Sequence, residues 1–100
     1  MAHLNLCLFI GNLTQDPVLR ETTQRIPVVN FAIAISTPRA RTPMYLDCRA
    51  WDQTATNIAK YCRQGAPVHL TGHLVIDSFI DRQTGAKRTK PVLEIDDIQY

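Results

Sequence analysis

Apolar and polar positions alternate along most of the chain with the period of two that marks β-strands, interrupted once by a helical period. The cleanest alternation is Tyr45-Leu46-Asp47-Cys48-Arg49-Ala50-Trp51. A strand here sends Leu46, Cys48 and Ala50 to a core. Tyr45, Asp47, Arg49 and Trp51 then share the opposite, solvated face. Leu4 to Leu13 reads as a first strand, with Leu4, Leu6, Leu8 and Ile10 on one face. Asn5, Cys7 and Phe9 lie on the other, and Phe9 there indicates a covered surface, such as one under a second subunit. Gly11 marks a bulge or a close backbone approach, and Asp16-Pro17 starts a turn.

Arg20 to Arg25 is polar and reads as a loop. Val28 to Ser36 is the second strand. Val29, Phe31, Ile33 and Ile35 form its apolar face, and the smaller Asn30, Ala32, Ala34 and Ser36 its other face. Thr37 to Pro43 is a short basic loop with Arg39 and Arg41, and the third strand runs from Met44 to Trp51. Asp52 to Gly65 carries the helical period, with Ala55, Ile58, Ala59 and Cys62 on one stripe. Asp52 or Thr54 is placed to cap its start, and Gly65 to end it. Val68 to Phe79 is a long strand bent at Gly72. Asp81 to Lys90 reads as a loop turned at Gly85, and Val92 to Tyr100 is the last strand.

Three strands, a helix, then two strands is the element order of an all-β, five-stranded OB-fold barrel with one helix between strands three and four. One such domain accounts for residues 1–100. The face of strands two and three and the adjoining loops take oligonucleotides in that fold. Fold alone does not carry function, but the rings and arginines of this chain fall on those parts.

Charge and composition narrow the reading only a little. The net charge of +2 permits a nucleic-acid partner without demanding one. With 45% apolar and 20% charged residues the chain falls among ordinary globular domains, not disordered ones. No apolar run reaches transmembrane length and no signal peptide is evident, so no membrane partner is expected. Cys7, Cys48 and Cys62 are odd in number without CxxC spacing, which favours reduced thiols in the cytoplasm; a chloroplast fits equally well.

Tyr45, Trp51 and Phe79 are the candidate base-stacking rings, since a base has a π-face whatever its identity. The competing reading is ordinary packing under a loop or subunit. Arg39, Arg41, Arg49, Arg82, Lys87, Arg88 and Lys90 are the candidate phosphate track, against the usual fate of charges as a solvated surface. Asp47 and Asp77 oppose phosphate on that face. His3, His69 and His73 form no metal set. No nucleophile context, glycine-rich phosphate loop or paired carboxylate indicates an enzyme or a cofactor.

The chain resembles the bacterial single-stranded DNA-binding proteins. The resemblance rests on Leu8-Phe9-Ile10-Gly11-Asn12-Leu13-Thr14-Gln15-Asp16-Pro17, on Val29-Asn30-Phe31, and on Ala50-Trp51 with Thr54-Ala55 and Ile58-Ala59-Lys60-Tyr61. Gln64-Gly65, Leu70-Thr71-Gly72-His73-Leu74 and Ile98-Gln99-Tyr100 extend it over nearly the whole chain. It implies an OB-fold homotetramer, with a homodimer as runner-up, that binds single-stranded DNA without strong sequence preference. Roles in replication, recombination or repair and a nucleoid location are implied with it. The family's stacking aromatics map onto Tyr45, Trp51 and Phe79, while another falls near Arg39.

There are departures from the family pattern. Val75, Ile76 and Asp77 stand where basic residues are usual. The turn at Gln24-Arg25 lacks its usual glycine. The acidic C-terminal tail that recruits replication and repair proteins is missing, so such partners are not expected by that route. A tail-less chain also resembles the primosomal replication protein B branch. The alternative functions are therefore a protein-interaction module of a replication-restart complex with weak or lost DNA binding, or RNA binding.

Overall fold

The computed structural model describes residues 2–100. Its strands are β1 (Cys7–Leu13), β2 (Val18–Glu21), β3 (Pro27–Ile35), β4 (Met44–Trp51), β5 (Pro67–Ile80) and β6 (Lys87–Gln99), with one helix, α1 (Asp52–Tyr61), between β4 and β5. The sheet order is β1-β5-β6-β4-β3-β2, and β1 also pairs with β3 through Asn12↔Ala34 and Leu13↔Ile33. That second pairing closes β1, β5, β6, β4 and β3 into a ring and leaves β2 outside it on β3. All ladders are antiparallel except β4–β6, whose register is Cys48↔Leu93 and Arg49↔Glu94. A five-strand ring with a helix between its third and fourth members is the OB-fold.

The ring's interior is the core. Val29, Phe31, Ile33 and Ile35 from β3 meet Leu46, Cys48 and Ala50 from β4, Val68 and Leu70 from β5, and Leu93 and Ile95 from β6. Each fully buried Leu or Ile stabilises the fold by about 2 kcal/mol. Helix α1 adds Ala55 and Ile58, followed by Cys62, all with no exposed surface. Burial, with a smaller contribution from Asp47, pushes the Cys48 thiol up to about 12. It is a small apolar packing group at neutral pH.

Five expectations need correction. The first strand starts at Cys7, and its faces are reversed. Cys7 and Phe9 pack against the barrel's own core, while Leu8 and Ile10 point outward. Gly11 explains the choice: a Cβ there would lie 2.8 Å from the Ala34 carbonyl oxygen, so the odd-numbered positions face the crowded interior. The expected loop Arg20–Arg25 contains a strand, because Val18–Glu21 pairs with β3. Arg25, at φ 63°, takes the turn conformation that glycine ordinarily supplies.

The helix ends at Tyr61, and neither Asp52 nor Thr54 caps it. Trp51 occupies the cap position without a side-chain bond to the helix's free N–H groups, and Asp52 itself makes the sharp entry at φ 55°. Gly65, at φ 85°, instead turns the chain three residues beyond the helix's last cap, where its N–H donates to the Leu13 carbonyl at 2.8 Å. Lastly, the expected loop Asp81–Lys90 is mostly hairpin. Lys87 to Lys90 lie on β6 and pair with Asp77 to Ile80, so the turn is only residues 81–86. This two-stranded extension of β5 and β6 is called the arm below.

Candidate nucleic-acid interface

The outer face of β3 and β4 is built by alternation. Tyr45, Asp47, Arg49 and Trp51 point outward beside Ala34, Ala32, Asn30 and Val28 respectively. Tyr45 is 65% exposed and Trp51 38% exposed, so both rings reach solvent as expected. Six residue steps along the strand separate them, about 20 Å at 3.3 Å per residue. The small side chains of Ala32 and Ala34 keep the surface between them low.

The arm supplies the rest of the face. Asp77 is paired with Lys90 and Phe79 with Arg88, and cross-strand partners share a side. Phe79 stands 43% exposed just before the turn. Lys87 pairs with Ile80 and therefore points to the other side of the arm, away from Arg88 and Lys90. Because β6 runs parallel to β4, the arm extends toward the Tyr45 end of β4. The β3–β4 loop with Arg39 and Arg41 lies at that same end.

Three of the seven cations of the expected basic track are paired with carboxylates. Arg49 Nη1 and Nη2 donate to the two carboxylate oxygens of Asp77 at 2.8 and 2.9 Å. Arg49 Nη2 also lies 3.9 Å from Glu94. The Lys90 ammonium lies 3.2 Å from Asp47, and Arg88 Nε donates to Asp81 at 3.0 Å. The hydrogen bonds from Arg49 hold the Asp77 carboxyl below its ordinary range, and the same bonds raise the Arg49 guanidinium. Asp81 is also held low, first by the Gln83 N–H and then by Arg88. Among the described residues, Arg39, Arg41, Arg82 and Lys87 have no acidic partner.

These pairs also orient the rings. Trp51 Nε1 donates to Glu94 Oε2 at 2.7 Å, and the Arg49 guanidinium lies 5.9 Å from the Trp51 ring. The Lys90 ammonium lies 6.0 Å from the Phe79 ring. A continuous chain of contacts thus runs from Trp51 through Glu94, Arg49 and Asp77, and another from Phe79 through Lys90 to Asp47. Glu94 went unnoticed in the sequence. Its outward position between Leu93 and Ile95 follows from alternation, but its place beside Arg49 needs the parallel β4–β6 pairing.

A closed OB barrel with exposed rings on its β3–β4 face and a charged arm beside them has the form of an oligonucleotide-binding module. The chain belongs to the single-strand binding protein family, whose profile matches residues 4–100. It is 40% identical over 99 residues to the single-stranded DNA-binding protein of Mycobacterium leprae, covering 89% of this chain and 58% of that protein. Over 105 residues it is 31% identical to the single-stranded DNA-binding protein of Borreliella burgdorferi, covering 99% of this chain and 70% of that one. It is 29% identical over 100 residues to single-stranded DNA-binding protein 2 of a Nostoc species, covering 99% and 79%. The chain spans about three fifths of the length of the mycobacterial relatives.

Proposed function

We propose that this chain binds single-stranded DNA without catalysis and without a cofactor, in replication, recombination or repair. The observation that carries the reading is the pair of exposed rings Tyr45 and Trp51 on one strand, with Phe79 brought beside the same face by the arm. Exposed aromatic rings, Trp51 fixed by its hydrogen bond to Glu94 and Tyr45 beside Ala34, are platforms for bases, each stack contributing about 1–3 kcal/mol. The backbone is then held by Arg39, Arg41 and Arg82 at the edges, while Arg49, Arg88 and Lys90 lie along the same track with their charges taken up by carboxylates. Lys87 contributes from the far side of the arm.

Self-association belongs to the same reading. Leu8 and Ile10 are exposed on β1, and Leu4 and Leu6 continue the apolar stripe at 89% and 57% exposure. A stripe of this kind is covered in a homotetramer, or in a homodimer as the alternative assembly. Light scattering distinguishes the two. A cytoplasmic, nucleoid-associated location follows from the DNA partner. No helix among the described residues is long and apolar enough to cross a membrane.

Trp51 is the chain's one tryptophan, so binding reports itself. Trp51 fluorescence is expected to quench on addition of an oligo-dT at low salt. The absence of both quenching and a mobility shift at tens of micromolar protein overturns the reading. The pairing of Arg49, Arg88 and Lys90 with carboxylates favours one rival, a protein-interaction module with weak DNA binding, and that rival predicts this negative result.

A further inference from the structure

Midway between Tyr45 and Trp51 the outer face is not flat but holds a cleft of about 190 Å³. Asn30, Ala32 and Asp47 form its floor on β3 and β4, Asp77 and Lys90 wall it from the arm, and Gln15 closes another side. At about 30 Å³ per water molecule in the liquid, the cleft has room for about six waters, the scale of a single base ring. Its charges are already matched, since both oxygens of Asp77 accept from Arg49 and the Lys90 ammonium lies 3.2 Å from Asp47. Asp47 meets Lys90 through Oδ2, which leaves Oδ1 open to accept. Asn30 brings an amide that both donates and accepts.

We propose that this cleft receives one base of a bound strand and prefers cytosine to thymine. The inference rests on the single-stranded DNA reading and adds a base preference to it. Cytosine projects an exocyclic amine with two N–H donors toward an acceptor, and carboxylates are its usual protein partners. Its ring nitrogen and carbonyl oxygen then face the donors of Asn30 and Lys90. Thymine offers one donor, N3–H, set between two carbonyl oxygens. A carboxylate that accepts from N3–H must therefore lie beside two further acceptors, which repel it. Stacking on Tyr45 and Trp51 is indifferent to base identity. The preference therefore enters through the cleft between them.

The test compares oligo-dC with oligo-dT of equal length, labelled and titrated with the full chain by fluorescence anisotropy at low salt and mildly alkaline pH. Oligo-dC is expected to bind roughly fivefold more tightly, the size of one good polar contact. Asp47→Ala and Asn30→Ala, each on an exposed position, are expected to bring that ratio toward one whatever they do to overall affinity. Equal or tighter binding of oligo-dT by the unaltered chain overturns the base preference and leaves the DNA reading standing. So does a ratio that survives both substitutions. Failure of both oligonucleotides to bind overturns the two together.

Discussion

Arg49 and Asp77, 28 residues apart in the chain, meet through two parallel hydrogen bonds of 2.8 and 2.9 Å that tie the barrel wall to the arm. The fork of a guanidinium matches the two oxygens of a carboxylate, so this pair fixes direction as well as distance. Arg49 also lies beside Glu94 and over the Trp51 ring, which makes it the junction of the whole face.

That geometry predicts an acid-sensitive contribution to stability. The Asp77 carboxyl is held below its ordinary value of 3.8 by the hydrogen bonds from Arg49. A carboxylate with a lowered folded-state value stabilises the fold above its unfolded value, and the contribution disappears as pH falls through the lowered one. Asp77→Asn is therefore expected to melt below the unaltered chain at neutral pH, with a gap that stays constant down to about pH 4 and closes below it. Thermal melts of both proteins across acid pH check this. A gap that persists unchanged at the most acid pH would show that the ionised carboxylate is not its source.

Charge pairing sets the response to salt. Four candidate cations, Arg39, Arg41 and Arg82 near the face and Lys87 on the far side of the arm, are without acidic partners among the described residues. If each neutralises one phosphate, log K falls with log salt at a slope near −3, at about −0.7 per contact on single strands. Asp47→Ala releases Lys90 from its 3.2 Å contact. Affinity at low salt then rises and the slope steepens by about 0.7. Titrations over a range of salt concentrations read both quantities, and an unchanged slope would place Lys90 away from the phosphates.

The wall of the barrel was legible in the sequence where one face is buried and the other wet. Leu46, Cys48 and Ala50 against Tyr45, Asp47, Arg49 and Trp51 needed only alternation. β1 has two apolar faces, and period two separates the faces without saying which is inside. The larger Leu4-Leu6-Leu8-Ile10 set faces out because backbone closeness at Gly11 and the burial of Leu13 choose the other side. The arm escaped notice for a related reason. Lys87-Arg88-Thr89-Lys90 is solvated on both faces, so it has no apolar alternation to betray a strand, and its pairing with Asp77 to Ile80 is a tertiary fact. The candidate rings were found by their types and positions. The partners of the candidate cations were not, since Arg49–Asp77, Lys90–Asp47 and Trp51–Glu94 each join strands whose adjacency only the topology supplies.

The three rings should separate binding from folding. Tyr45, Trp51 and Phe79 are all exposed, so their loss removes little core packing. Tyr45→Ala, Trp51→Ala and Phe79→Ala are each expected to weaken binding of labelled oligo-dC by about 1–3 kcal/mol, or about 5- to 150-fold, with little change in melting temperature. Glu94→Ala keeps the indole but removes its 2.7 Å hydrogen bond, so a smaller loss is expected there. Full affinity in all three ring variants would move the site off this face.

Gly72 governs whether the arm and the ring can belong to the same two strands. Register between β5 and β6 shifts at Thr71/Gly72, where β5 also ends its pairing with β1 and continues toward the arm on β6 alone. A Cβ on Gly72 would collide with the Glu94 carbonyl oxygen and lie 3.2 Å from Leu93 Cδ1. The obstacle is backbone, which cannot swing aside as a side-chain tip can, so Gly72→Ala must push β5 from β6. Overpacking of this kind costs about 1–3 kcal/mol and sometimes more. The displaced residue is Glu94, the acceptor for Trp51 and a neighbour of Arg49. Gly72→Ala is therefore expected to lower the urea midpoint and also to shift the Trp51 emission spectrum of the folded protein. A lower midpoint with an unchanged spectrum would mean that the strain is relieved on the β5 side, without reaching the binding face.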